Sequence, residues 1–238
     1  MRAFFTPKTL ALTGLALVLA FWPGRACAQS GASATASPTK AVQVDSVSFK
    51  PISDPYNQRY GWMQVRVDLT AKSNPNPQAL NPKWVPDVNV TATLGWGSKS
   101  GKGGAPQIDV AVTATAKLVA LEVNTRSTVM FYLPPEFLQS ATKSPSGINA
   151  SMPPDFFVVQ VQAGGTTMDP TAKSVSSSSL PDKSYVDGFV RAAGDLASKN
   201  AGMMLPANEV PYYIYRVGLD GASGTVVPTF KSSASNTP

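Results

Sequence analysis

Residues 107–133 alternate apolar and polar side chains almost one for one, and this pattern restricts the chain to a β class. Ile108, Val110, Val112, Ala114 and Ala116 fall between Asp109, Ala111, Thr113, Thr115 and Lys117. A period of two turns one set of side chains into a core and the other into water. Leu118 breaks the phase with Val119, Leu121 and Val123, so a bulge is expected near Lys117. Asn124-Thr125-Arg126 supplies turn residues, and Val129, Phe131 and Leu133 alternate again until Pro134-Pro135 forbids further pairing. The stretch reads as a long antiparallel hairpin.

The alternation recurs upstream. Val42, Val44, Val47 and Phe49 make a strand with a phase slip at Asp45-Ser46. In 61–71, Met63, Val65, Val67 and Leu69 face inward, while Gln64, Arg66, Asp68 and Thr70 face outward. Residues 72–86 carry Pro75, Pro77, Pro82 and Pro86 and are expected to wrap a sheet edge. Val88, Val90, Ala92, Leu94 and Trp96 alternate next, and the Gly-, Ser- and Lys-rich loop 97–105 joins them to the opening hairpin. Downstream, Pro134-Pro135-Glu136-Phe137-Leu138 opens a helical turn. Residues 155–163 set Phe157, Val159 and Val161 on one face and Phe156 and Val158 on the other. Apolar side chains on both faces indicate a central strand, or one covered by a later helix.

That helix is predicted over 184–201, where Tyr185, Phe189, Ala192, Ala193, Leu196 and Ala197 recur at spacings of three and four. Ser184 with Asp187 resembles a capping box, and Asn200 and Gly202 mark the stop. Gly188 and Gly194 inside it cost about 1 kcal/mol each, so tertiary packing must hold it. The segment VPYYIYRV, 210–217, is aromatic and β-branched and reads as a final strand with Pro211 on an edge. Residues 218–238 form a small-residue tail in which Val226, Val227 and Phe230 are able to dock. Seven or eight strands with proline-rich crossovers predict an antiparallel β-sandwich of immunoglobulin type with one added C-terminal α-helix, without the Cys…Trp…Cys core of antibody domains.

The first 28 residues have the layout of an export signal: Arg2 and Lys8, an apolar run over 9–22, Pro23-Gly24, then Ala26-Cys27-Ala28 at a cleavage site. That run falls short of the ~20 residues that span a bilayer, so no transmembrane segment is expected after cleavage. Residues 29–40 follow as a leader of small residues, 41–217 as the sandwich, and 218–238 as the tail. Of the 20 Lys and Arg, three lie in the signal, leaving 17 against 14 Asp and Glu. A small excess of this kind, with no basic cluster among aromatics, does not indicate nucleic acid. The chain's one cysteine is Cys27, so the sandwich must stand on apolar burial alone. An exported chain without disulfides fits a bacterial envelope.

The residue inventory removes most catalytic chemistry. There is no histidine, hence no His-based general base, triad or zinc site, and no thiol remains after Cys27 is cleaved away. Ser37-Pro38-Thr39-Lys40 matches the S-x-x-K spacing, but no S-D-N or K-T-G partner follows. The glycine-rich stretch 95–103 has Trp96 and Gly103 where a phosphate loop needs Gly and Ser or Thr. Acids are scattered, with Asp182, Asp187 and Asp195 on or just before the helix, so no cofactor, metal or catalytic set is assigned. Asn89-Val90-Thr91 and Asn149-Ala150-Ser151 match the glycosylation sequon, which is without meaning in a bacterial host. Trp62 is out of phase with its strand's apolar face and Trp84 lies on the proline-rich stretch; with Tyr212, Tyr213 and Tyr215 they form the candidate contact surface. Trp96, in phase, belongs to the core.

The segment KLVALEVNTRSTVMFYLPPE, 117–136, preceded by NVTATLGWG, 89–97, resembles the pilus-like immunoglobulin-fold proteins of verrucomicrobial bacteria, small exported proteins associated with type IV pilus genes. The resemblance covers 41–217 in layout and brings no catalytic residues. It implies a periplasmic or surface sandwich without catalysis, with envelope or pilus proteins as partners through a strand edge or a face. A carbohydrate-binding module built on the Trp and Tyr residues, or a hydrolase using two converging carboxylates, are the alternatives.

Overall fold

The computed structural model describes residues 37–56, 61–98, 107–142, 153–176, 178–219 and 226–231. The chain divides into two units at residue 35, and every described residue belongs to the second. The segment expected to be an export signal, most of the loop 97–105 and the sequon match at Asn149 lie outside the described residues.

A 3-10 turn, Pro38–Lys40, leads into β1 (Val42–Ser53), followed by β2 (Gly61–Ala71), β3 (Trp84–Ser98), β4 (Gln107–Glu122) and β5 (Arg126–Leu133). Next come α1 (Pro135–Thr142), β6 (Phe156–Ala163), β7 (Thr166–Thr167), α2 (Lys183–Lys199), β8 (Leu205–Pro206) and α3 (Tyr212–Leu219). One sheet runs β1-β2-β5-β8 and the other β4-β3-β6-β7, with neighbouring strands antiparallel. In immunoglobulin lettering this is A-B-E facing C′-C-F-G, so the connectivity is that of an immunoglobulin-like sandwich, with β8 added beyond E. Met63, Val65, Val67 and Leu69 of β2 and Val88, Val90, Ala92 and Leu94 of β3 are fully buried between the sheets. Each of the larger side chains gains roughly 1.5–3 kcal/mol from burial, and alternation makes them all point the same way.

The phase slip at Asp45-Ser46 is present, as a register shift between Val44 and Ser46. The stretch 107–133, however, is not one hairpin. β4 pairs with β3 and β5 with β2, so the chain changes sheets at Asn124, whose φ of 63° turns it away from β4. Asparagine tolerates that left-handed conformation, and the amide N–H of Asn124 donates to the Ala71 carbonyl at 2.7 Å. The register shift in the β3–β4 ladder falls between Trp96 and Gly97 instead of near Lys117. A Cβ at Gly97 would run into the Gln107 carbonyl, which explains the glycine. The phase break after Leu118 is matched on the partner strand: Val85 and Val88 face Leu121 and Leu118, all buried, and Asp87 takes φ 52° between them. Both strands slip together and the register survives.

Each sheet has a helix against its outer face. Phe189 of α2 lies over β6 and β3: its ring is 5.9 Å from that of Phe156, and a Cβ on Gly95 would come within 2.8 Å of it. This covers Phe156 and Val158 as the two-faced pattern of β6 anticipates. The cap of α2 is Asp182, whose carboxylate accepts from the N–H groups of Ser184 (2.8 Å) and Tyr185 (3.1 Å); Ser184 is inside the helix. On the other sheet, 210–217 is not a strand. The Pro211 carbonyl starts a helix by accepting from the N–H groups of Ile214 and Tyr215, and Ile214 and Gly218, four apart, bury one face of α3 on β2 and β5. Gln64 therefore does not face water. It is buried beneath α3, donating to the Gly218 carbonyl and the Tyr132 hydroxyl, each at 3.0 Å. The helical turn expected at Pro134 extends to Thr142 and packs Phe137 edge-on against Trp96, a core residue, at 5.6 Å.

Candidate functional site

Strand edges are the obvious docking features of a sandwich, because their unpaired backbone groups accept another strand. Here the later parts of the chain cover three of the four. β8 and Val226 pair with β5, at Phe131, Tyr132 and Ser127. The tail then crosses to the other sheet, where the Thr229 carbonyl accepts from the Val119 N–H (2.9 Å) and the Lys231 N–H donates to the Lys117 carbonyl (2.7 Å). Tail docking at Val226 and Phe230 thus stitches the two sheets together, and Lys231 pairs with Asp87. Residues 166–176 run beside β6, with Thr171 reaching across to the Val44 carbonyl at 3.2 Å. The fourth edge, β1, carries exposed Lys50 and Pro51, residues that discourage strand addition.

The five predicted contact residues do not form one surface. Trp62 is 8% exposed and packs with Ile52, Met130, Tyr132 and Ile214 under α3, so it leaves the candidate surface. Tyr215 is half-buried against the same cluster. Tyr212 and Tyr213 stand out from the start of α3, at 73% and 37% exposure, and Tyr213 meets the ring of Tyr56 edge-on at 5.0 Å. Tyr56, 81% exposed just beyond β1, is the member that strand periodicity could not find, because it sits in a turn. Trp84 begins β3 opposite Glu122, near the far end of β2 and roughly 30 Å of strand from the tyrosines. It borders a groove of about 200 Å³ with Val119, Glu122 and the tail residues Val226 and Pro228.

A cavity of about 520 Å³ lies between β6, residues 167–175 and the start of α2. Asp169, Asp182 and Asp187 line it, with Lys183 as the one cation among its described lining residues. Asp169 is held by the Thr39 hydroxyl at 2.8 Å, and Asp182 is the helix cap. Hydrogen bonds from the Ser184 side chain and the Tyr185 and Ser184 backbone pull the Asp182 carboxyl below its ordinary range, opposite to what a general acid needs. Ser37 of the S-x-x-K match bonds the Thr39 hydroxyl. Among the described residues no three His, Cys, Asp or Glu side chains converge as metal ligands, and no helix is long and apolar enough to cross a membrane.

Fold and surfaces together define a class: an immunoglobulin-like antiparallel sandwich with helix-backed sheets and mostly covered edges. No protein-family model matches the chain, and no match was found among curated proteins. A solved crystal structure from Akkermansia muciniphila shows a distant structural resemblance, with a TM-score of 0.47 and 11% identity over 80% of this chain and 92% of that one.

Proposed function

We propose that this chain is an exported, non-enzymatic sandwich that docks onto proteins of the cell envelope, pilus components among them, through a side-chain surface instead of a strand edge. The observation that carries this is the exposed cluster of Tyr56, Tyr212 and Tyr213 on a molecule whose edges are mostly covered. Rings with an apolar body and a polar tip contribute contact area at little entropic cost, and tyrosine is enriched where interfaces concentrate their energy. Export is supported by the signal-like first 28 residues, with the periplasm or the cell surface as destination. The inventory without histidine or a mature cysteine supports the non-enzymatic reading.

The test is affinity capture from envelope fractions with the wild-type chain and the Tyr56→Ala/Tyr213→Ala variant. The expected result is recovery of a defined envelope or pilus component by the wild type and its loss with the variant, whose melting temperature stays near wild type. Recovery of the same component by both proteins would refute the assignment to this surface. Turnover of a model ester or glycoside by purified protein would refute the non-enzymatic reading.

A further inference from the structure

Large apolar side chains that stand in water are not scattered over this molecule. Of the eight among the described residues, Tyr56, Tyr212 and Tyr213 gather at the end of the sandwich where β1 leaves Ser53 and β2 begins at Gly61. Leu80, Trp84, Val119 and Val226 gather at the opposite end, where β2 stops at Ala71, β3 starts opposite Glu122 and the tail pairs at Ser127. Met203 is the remaining one. Roughly 30 Å of strand separates the two groups. Leu80 is wholly exposed, at 106%, yet the loop that carries it is fixed. The side-chain oxygens of Asn74, Asn76 and Asn81 accept from the N–H groups of Asn76 (2.9 Å), Gln78 (3.0 Å) and Lys83 (3.1 Å). The Asn74 amide also donates to the Trp84 carbonyl at 2.6 Å. An apolar side chain held out by an ordered loop has already met most of the entropic cost of a contact.

We infer that this chain associates head to tail with further copies of itself, the tyrosine end of one sandwich seated on the Leu80 and Trp84 end of the next. The inference rests on the reading of the tyrosine cluster as a docking surface, and it names that surface's partner. A foreign protein or a lipid surface would account for one apolar end; a repeating subunit accounts for both. The ends also differ in shape. The tyrosine rings project, whereas Trp84, Val119, Val226 and Pro228 border the groove of about 200 Å³, a recess for a ring of the neighbouring copy. Charge disfavours two grooves facing each other: exposed Lys72, Lys83 and Lys117 stand around this end against Glu122, while Asp87 and Lys231 pair with one another. Beside the tyrosines, Asp54 and Glu209 balance Lys50 and Arg216 among the described residues. The areas match as well. At ~200 Å² for a whole aromatic side chain, the tyrosines present roughly 400 Å² and the other end roughly 300 Å². With a polar rim supplying a little under half of the contact, about 1,200 Å² is buried in total, the lower bound for a specific interface. Because the two surfaces are different, the contact repeats along a row instead of closing at two.

The experiment is sedimentation velocity of the chain expected after export, residues 29–238, from about 1 to 500 µM. An interface this small predicts a dissociation constant on the order of 10–100 µM and a sedimentation coefficient that keeps rising past the dimer. Leu80→Asp and Tyr212→Asp change exposed side chains at opposite ends, so both variants should melt near wild type. Each alone should associate at least tenfold more weakly than wild type. Mixed in equal amounts they should form a complex that stops at two, because each keeps the end that the other has lost. A wild-type chain that stays monomeric throughout overturns the inference. So does one that stops at a dimer, or a mixture of the two variants that does not associate. If the chain stays monomeric while Tyr56→Ala/Tyr213→Ala still abolishes capture of an envelope component, this inference falls and the docking surface stands. If that variant captures as wild type does and also self-associates normally, both fall.

Discussion

Asp68 is the side chain whose loss the sandwich should feel most sharply. Alternation turns it outward from β2, yet it is 4% exposed and accepts from four donors across three strands. These are Ser46 Oγ at 2.9 Å, Thr128 Oγ1 at 2.6 Å, Arg66 Nε at 3.0 Å and an Arg126 terminal nitrogen at 2.8 Å. Asp68→Asn keeps the shape, removes the charge and points an amide N–H₂ at donors. Breaking one side of a buried ion pair costs about 3–5 kcal/mol. The Arg126 side chain is 51% exposed, however, and water screens part of that. The expected loss is about 2–4 kcal/mol, equivalent to roughly 5–15 °C in melting temperature for a chain of this size, or about 1–2 M in urea midpoint. Burial alone would raise the Asp68 carboxyl; hydrogen bonds from Thr128, Arg66 and Ser46, with the charge of Arg66, outweigh it and hold the pKa below 3.8. On acidification the unfolded chain takes up this proton first. The Asp68 contribution is therefore complete above the ordinary aspartate range and fades as pH falls through the lowered folded value. Urea unfolding followed by tryptophan fluorescence from pH 7 to pH 2 measures both effects. A variant within about 0.5 kcal/mol of wild type at pH 7, or one that keeps the full acid slope, would refute the reasoning.

Tyr132 supplies the alkaline counterpart: burial pushes its hydroxyl up to about 12. The unfolded chain loses that proton first as pH rises past 10, so wild type should lose roughly 2–3 kcal/mol between pH 10 and pH 12, a slope that Tyr132→Phe reduces in the same unfolding assay. Gly188 and Gly194 sit in exposed turns of α2, and a methyl group added to either would meet no other atom within 4 Å. Substituting each by alanine should raise stability by about 0.5–1 kcal/mol in a thermal melt. Phe230 packs against both the central core and the cluster under α3; Phe230→Ala should cost about 2 kcal/mol and speed hydrogen exchange at the Val119 amide, which bonds the Thr229 carbonyl.

The two-layer fold is legible in the sequence because β2, β3 and β6 obey a period of two and because α2 repeats at three and four. What the pattern misses are features set by tertiary partners. VPYYIYRV has the composition of a strand, but its Ile214 and the following Gly218 fit the gap above Gln64 and Tyr132 only as a helix. The turn at Asn124 looks the same in sequence whether it closes a hairpin or changes sheets; pairing of β2 with β5 decides it. Trp62 faces outward on its strand, as alternation requires, but that face is roofed by α3. Gln64 is buried under the same roof, and Asp68 is enclosed by the donors gathered around it. The tyrosine cluster is half visible, since Tyr212 and Tyr213 are adjacent in sequence while Tyr56 joins them only through the fold.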